Sequence, residues 1–126
     1  MKLAITVGDP RGIGPEVVKA ALADPRVQSA AQFVVIGAAD RQASIPEAGR
    51  QAGEAVVQAV ELARAGEVDG IVTAPLDKSA LLAGGYDYPG HTEMLAELTH
   101  SRVAMMLASD RLRVVLATTH IPLRDV

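Results

Sequence analysis

Residues 2–22 read KLAITVGDPRGIGPEVVKAAL, and this stretch decides the fold. The apolar run from Leu3 to Val7, ended by a Gly-Asp-Pro turn, is typical of a strand buried on both faces. Pro15 suits the first position of a helix, and apolar residues recur behind it at helical spacing until Asp24-Pro25 ends the pattern. The stretch therefore predicts a strand, a glycine-rich loop and a helix, the repeating unit of α/β proteins.

Strands and helices continue to alternate along the chain. The predicted strands are 33–36, 70–74, 103–107 and 112–117, and the predicted helices are 46–66, 78–82 and 92–98. Ser109-Asp110-Arg111 forms a tight turn between the last two strands, which indicates an antiparallel hairpin. The short polar stretch 38–45 is a loop or a place where sequence is missing. We expect a single α/β domain over residues 1–126, with a mostly parallel sheet flanked by helices and an antiparallel hairpin.

Composition excludes several classes of protein. The chain has 126 residues, a formal net charge of -3 and no cluster of Lys or Arg, which argues against nucleic acid and anionic membranes as partners. Cysteine is absent, so a metal site would use His, Asp or Glu. No apolar run reaches the roughly 20 residues of a membrane span, and the start of the chain is too short a run for a secretory signal. We expect a soluble, cytoplasmic protein.

The glycine-rich loop of residues 8–16 has two interpretations. Glycines let a backbone approach a ligand closely, and free N–H groups at the start of a helix favour an anion. A tight turn that merely requires glycine explains the same residues equally well. The loop lacks the third glycine of a dinucleotide-binding fingerprint, and no acidic residue ends the next strand to hold a ribose.

Three motifs connect the sequence to a known family. They are GDPRGIGPEVVKAAL at 8–22, IVTAPLDKSALLAGGYDYPGHTE at 71–93 and VVLATTHIPLRDV at 114–126. In this order they resemble the 4-hydroxythreonine-4-phosphate dehydrogenases. The first is also similar to the corresponding turn of isocitrate and isopropylmalate dehydrogenases. The resemblance implies an isocitrate/isopropylmalate dehydrogenase-like fold and an NAD- and metal-dependent enzyme.

The chain departs from the family pattern at several points. Arg11 stands where the family usually has alanine, and Asp77 where asparagine is common. The segment between Ile36 and Pro46 is several dozen residues shorter than in the family. Family members are also more than twice as long as this chain. The resemblance therefore implies the amino-terminal part of a longer two-domain dehydrogenase, which carries only some of the family's site residues.

His120 is the candidate metal ligand. It follows a predicted strand at the end where α/β proteins build their sites, although one histidine alone fixes no coordination geometry. The resemblance implies that His120 is one of three histidines that bind a divalent cation such as Zn, Mg or Co. The other two belong to the part of the family's sequence that this chain lacks.

His91 and Thr92 are the candidate substrate-binding residues. Gly90-His91-Thr92 at the start of a helix offers an imidazole, a hydroxyl and free N–H groups. The resemblance implies that both side chains contact the substrate. The alternative makes Thr92 a plain N-cap, and Glu93 keeps a role at the positive end of the helix dipole in either case.

The other charged side chains near these motifs have simpler explanations. His100 matches no motif and is expected to be solvated. Lys78, just beyond a strand, either helps to bind a phosphate or is a helix-start cation held by Asp77. Arg124 and Asp125 pair with one another in an exposed loop. Neither catalytic nor NAD-binding residues can be assigned from the sequence.

The resemblance implies a complete reaction. A family member oxidises a secondary alcohol of a phosphorylated four-carbon hydroxy acid such as 4-phosphohydroxythreonine, transfers the hydride to NAD and loses carbon dioxide, in pyridoxal phosphate biosynthesis. Relatives with the same motifs act on threonate or erythronate phosphates. In the family the active site lies at a dimer interface, so the resemblance also implies a homodimer. The alternative is a truncated, inactive α/β fragment that serves as a structural or interaction module.

Overall fold

The computed structural model describes residues 1–118 and 121–125. Its elements, in chain order, are β1 (Lys2–Thr6), α1 (Gly14–Ala23), α2 (Pro25–Ala30), β2 (Gln32–Ile36), α3 (Ile45–Arg64), β3 (Gly70–Thr73), α4 (Lys78–Ala83), α5 (His91–Thr99), β4 (Met106–Ala108) and β5 (Arg113–Val115), followed by a 3-10 turn at Leu123–Asp125. Within the described ranges, no helix combines the length and the apolar character that crossing a bilayer requires.

A three-stranded parallel sheet forms the centre of the fold, and β1 lies between β2 and β3. Ala4 of β1 is in register with Val34 of β2 and with Ile71 of β3. All three strands therefore end at the same edge of the sheet. The glycine-rich loop of residues 8–16, which is the first loop of the chain, leaves that edge beside the exit of β3. There the Asp9 N–H donates a hydrogen bond to the Pro75 carbonyl at 3.0 Å. This edge carries the residues of the candidate site.

Both faces of β1 are covered, as its apolar run predicts, whereas Val35 of β2 and Val72 of β3, the neighbours of Ile5, are each 45% exposed. On one face, Ala4 and Ile36 pack with α3 through Ala55 and Ala59. On the other face, Ile5 packs with Val18 of α1. Alternate side chains of β1 thus enter two different cores, which is why the middle of the strand is apolar on both sides.

The long helix α3 is fixed at its start by its sequence. Ser44 is the N-cap, its hydroxyl accepts a hydrogen bond from the Glu47 N–H at 3.4 Å, and Pro46 lies in the first turn. The buried face of the helix includes Gly49 and Gly53 as well as the predicted alanines and valines. These glycines allow α4 and the loop behind it to approach the backbone of α3 closely.

The predicted fold class is confirmed, including the antiparallel hairpin, which pairs Leu107 with Val114. The hairpin strands are shorter than predicted, because only β4 and β5 pair and all six of their residues are exposed. The helix α2 is not predicted by the sequence pattern. Asp24-Pro25 does end α1 as predicted, but the Asp24 carboxylate then accepts from the Arg26 N–H at 2.8 Å and caps a second helix.

Candidate active site

A cleft of about 570 Å³ opens at the carboxyl edge of the sheet, between the segment that follows β3 and the first turn of α5. Its principal lining residues are Pro75, Leu76, Lys78, Gly90, His91 and Thr92. The structure thus brings together His91, Thr92 and Lys78, which the sequence analysis singled out separately. Leu76 and Met105 also line the cleft and were not predicted, because no local pattern distinguishes them from core residues.

The start of α5 is open to a ligand. Gly90 is the N-cap, its backbone is extended, and no side chain of the described residues caps the helix. His91 and Thr92 are the first two helical residues, so the alternative in which Thr92 is the N-cap is wrong. Glu93 follows in the first turn, as expected for a carboxylate at the positive end of the dipole. The unbonded N–H groups of this turn point to an anion as the natural partner.

His91 carries the clearest polar anomaly of the cleft. Its Nε2 is buried and lacks a hydrogen-bond partner among the described residues. Burial lowers the pKa of the His91 imidazole below its ordinary value, so the ring is neutral at pH 7. A buried ring nitrogen without a partner costs free energy, which a ligand that supplies the missing hydrogen bond would recover.

Asp77 does not hold Lys78. The Asp77 Oδ1 accepts from the Ser79 and Ala80 N–H groups at 2.8 and 3.0 Å, and this caps α4. The Asp77 Oδ2 lies 3.9 Å from Arg11 Nη2. Among the described residues no carboxylate comes within 4.0 Å of the Lys78 amine. The interpretation of Lys78 as a cation paired with Asp77 is therefore wrong.

The glycine-rich loop is held by its own charged residues. The Arg11 guanidinium donates to both oxygens of Asp9, with Nη2–Oδ2 at 3.0 Å and Nε–Oδ1 at 3.2 Å. Burial acts to raise the pKa of the Asp9 carboxyl, but the hydrogen bonds from the Arg11 side chain and backbone outweigh it, and the pKa is lowered. A Cβ on Gly14 would lie 2.0 Å from the Val7 carbonyl oxygen. These contacts favour the tight-turn interpretation of the loop.

The contact between Arg11 and Asp77 is a feature that sequence reasoning missed. In the sequence the two positions are separate departures from the family pattern. The 3.9 Å approach of their charged groups shows that they neighbour each other, the first loop against the start of α4. Two charges of opposite sign at unusual positions were the available signal, and the structure explains why they occur together.

The remaining candidate residues are His120, His100, Arg124 and Asp125. His120 lies outside the described residues, so its role as a metal ligand stays a prediction. Within residues 1–118 and 121–125, no three His, Asp or Glu side chains are grouped so that they could hold a metal ion. His100 is exposed at the end of α5, and Arg124 and Asp125 form an exposed pair at 3.7 Å, both as predicted.

The lowered pKa of His91 has a consequence for stability. Because the folded-state pKa lies below the ordinary 6.5, the unfolded chain binds the proton more readily. The stability that neutral His91 contributes is present above pH 6.5 and is lost as the pH falls from there through the folded-state pKa. We expect urea denaturation to show this loss in the unsubstituted protein and in His100→Gln, but not in His91→Gln. An equal loss in all three proteins would contradict the assignment, as would an NMR titration of His91 with an ordinary pKa.

Comparison with known proteins identifies the family. The family of the pyridoxal phosphate biosynthetic protein PdxA matches residues 14–126. A 4-hydroxythreonine-4-phosphate dehydrogenase of Burkholderia vietnamiensis is 41% identical over 164 aligned positions, which cover 100% of this chain and 50% of that protein. A D-threonate 4-phosphate dehydrogenase of Salmonella typhimurium is 40% identical, and the match covers 97% of this chain and 51% of the relative.

Solved structures agree with the sequence matches. The crystal structure of a 4-hydroxythreonine-4-phosphate dehydrogenase from Burkholderia phymatum superimposes with a TM-score of 0.88 at 36% identity, and it covers 98% of this chain and 51% of that chain. The chain thus spans about half the length of the relatives it matches. The resemblance expected from the three motifs is confirmed: the chain belongs to the PdxA family of pyridoxal phosphate biosynthetic proteins.

Proposed function

We propose that this chain supplies part of the active site of an NAD- and divalent-metal-dependent dehydrogenase that oxidises, with decarboxylation, a phosphorylated four-carbon hydroxy acid. The observation that carries the proposal is the cleft in which His91 and Thr92 stand at the uncapped start of α5. The names of the relatives support it, because they are dehydrogenases of 4-hydroxythreonine 4-phosphate and D-threonate 4-phosphate. On this basis the protein serves pyridoxal phosphate biosynthesis or a related sugar-acid pathway.

The residues of the cleft have distinct tasks in this proposal. The buried His91 Nε2, which lacks a protein partner within the described residues, forms a hydrogen bond to the substrate. The Thr92 hydroxyl and the free N–H groups of the first turn of α5 bind an anionic oxygen at the same end. A neutral imidazole can form this hydrogen bond as a donor or as an acceptor, according to which ring nitrogen carries the proton. The cleft thereby orients the substrate and excludes water from its bound end.

The cofactor and the metal rest on the family resemblance. NAD would accept the hydride, and a bound Zn, Mg or Co ion would polarise the alcohol oxygen. The described residues do not by themselves form a metal site, so His120 is proposed as one ligand and the others would come from elsewhere in the complete protein.

A homodimer and a larger two-domain protein are further parts of the proposal. The hairpin exposes apolar side chains, among them Leu107 at 60%, Leu112 at 64% and Val115 at 60%. Exposed apolar surface of this kind is common at protein interfaces. A second protomer or a following domain would cover it. A cytoplasmic location, expected from the sequence, stays a prediction.

A binding experiment tests the proposal and separates it from the alternative of an inactive structural fragment. We expect isothermal titration of the complete protein, with its divalent metal supplied, to detect binding of D-threonate 4-phosphate or 4-phosphohydroxythreonine. We expect His91→Ala to weaken that binding at least about tenfold, or 1.4 kcal/mol, because it removes the imidazole hydrogen bond. The matched control is His100→Ala, since His100 is exposed and does not line the cleft.

The outcomes decide between the two functions. Binding that His91→Ala weakens and His100→Ala leaves unchanged supports the dehydrogenase site. Binding that is equal in all three proteins would assign His91 a structural role. A folded protein that binds neither compound would favour the structural fragment over the enzyme.

A further inference from the structure

Lys78 is a cation that the fold leaves available at the mouth of the cleft. It is exposed, it begins α4, and it lines the same cleft as His91 and Thr92. A Cβ built on Gly90 would lie 4.0 Å from the Lys78 Cε, so the lysine side chain runs past the N-cap of α5. Its ammonium is therefore near the helix start that offers free N–H groups.

Two acidic residues, Asp77 and Glu93, lie close to Lys78, and neither pairs with it. Asp77 caps α4 and faces Arg11, and Arg11 in turn is bonded to Asp9. Glu93 lines the same cleft, with its Oε2 3.5 Å from the same built Cβ, but it comes no closer than 4.0 Å to the Lys78 amine and forms no ion pair with it in the part of the chain that the structure describes. Arg11 thus neutralises the neighbouring carboxylate that would otherwise attract the lysine.

We propose that Lys78 binds the phosphate of the substrate, across the cleft from His91. The inference rests on the proposed function and adds the residue that recognises the phosphate. A phosphate carries nearly two negative charges at neutral pH, so a flexible ammonium at the mouth of the cleft gains more from it than from a carboxylate. Lys78 therefore selects for phosphorylated over unphosphorylated acids.

The test compares two ligands and three lysine variants by isothermal titration. We expect Lys78→Met to weaken the binding of D-threonate 4-phosphate about tenfold and to change the binding of D-threonate less than about twofold. Lys78→Arg should restore most of the lost affinity, because it returns the positive charge. The matched control is Lys19→Met, which removes the same charge from the exposed face of α1, outside this cleft.

Each outcome has one meaning. A loss specific to the phosphorylated ligand and to Lys78 supports the proposal. Equal losses for both ligands, or equal losses in Lys78→Met and Lys19→Met, would overturn it, because the lysine would then contribute only general charge. If His91→Ala weakens binding and Lys78→Met does not, the proposed function stands and the role of Lys78 is wrong. If the unsubstituted protein binds neither ligand, both are wrong.

Discussion

Replacing Gly49 with alanine is expected to destabilise the protein by about 3 kcal/mol or more. A Cβ at this position would lie 1.6 Å from the Ala80 carbonyl oxygen and 2.2 Å from its carbon. These are backbone atoms of α4, so relief requires α4 to move away from α3 as a whole. Gly84 faces the same place from the other side, with its built Cβ 2.2 Å from the Arg50 nitrogen.

The sign of the effect is informative, because helix propensity alone predicts the opposite. Glycine to alanine within a helix stabilises by about 1 kcal/mol when nothing opposes the methyl group. Gly53→Ala in the same helix is the matched control, since its Cβ would meet the Tyr86 ring at 2.2 Å, and a side chain can rotate. We expect urea denaturation to show a smaller loss for Gly53→Ala. A Gly49→Ala protein as stable as the parent would show that α4 docks loosely.

The sequence predicted α3 but could not predict this contact. The apolar stripe of Ala52, Val56, Ala59 and their neighbours has helical spacing, which is a property of the chain alone. A glycine carries no such signal, because its small size matters only in relation to the backbone opposite. The opposing backbone is about thirty residues away in sequence, so only the folded chain reveals the need for glycine.

The helix α2 was not predicted for a similar reason. Asp24-Pro25 is read most simply as the end of a helix, and α1 does end there. The same two residues also begin a helix well, as an N-cap followed by a first-turn proline. The helix α2 has only six residues, most of them exposed. Its apolar residues do not recur at a helical spacing that would have identified a second helix.

The helix start that carries the candidate residues was predictable, and the arrangement of the cleft was less so. His91 and Thr92 were identified from the motif that carries them, and the helix start was expected from Gly90. The burial of the His91 Nε2 depends on what packs around it, which the sequence does not give. The availability of Lys78 depends on the pairing of Asp77 with Arg11, residues distant in sequence that meet only because the first loop lies against the exit of β3.

Replacing Gly8 with alanine is expected to destabilise the protein by about 3 kcal/mol or more and to weaken ligand binding in the molecules that still fold. Gly8 has a φ of 72°, and its built Cβ would lie 2.0 Å from the Pro75 carbonyl oxygen. That carbonyl accepts the hydrogen bond of the Asp9 N–H, and Pro75 lines the cleft. A methyl group here would push the first loop away from the exit of β3 and shift one wall of the site.

Gly66 provides the control that separates the two causes of this effect. It has the same φ of 72°, at the end of α3, but nothing lies within 4 Å of its built Cβ. Gly66→Ala therefore measures the cost of the left-handed backbone alone, about 1 kcal/mol, and should leave ligand binding unchanged. Urea denaturation of both variants gives the difference, which is the cost of separating the first loop from Pro75. Equal losses in the two variants would mean that the loop moves aside freely, and that the close approach of the first loop to Pro75 does not set the wall of the cleft.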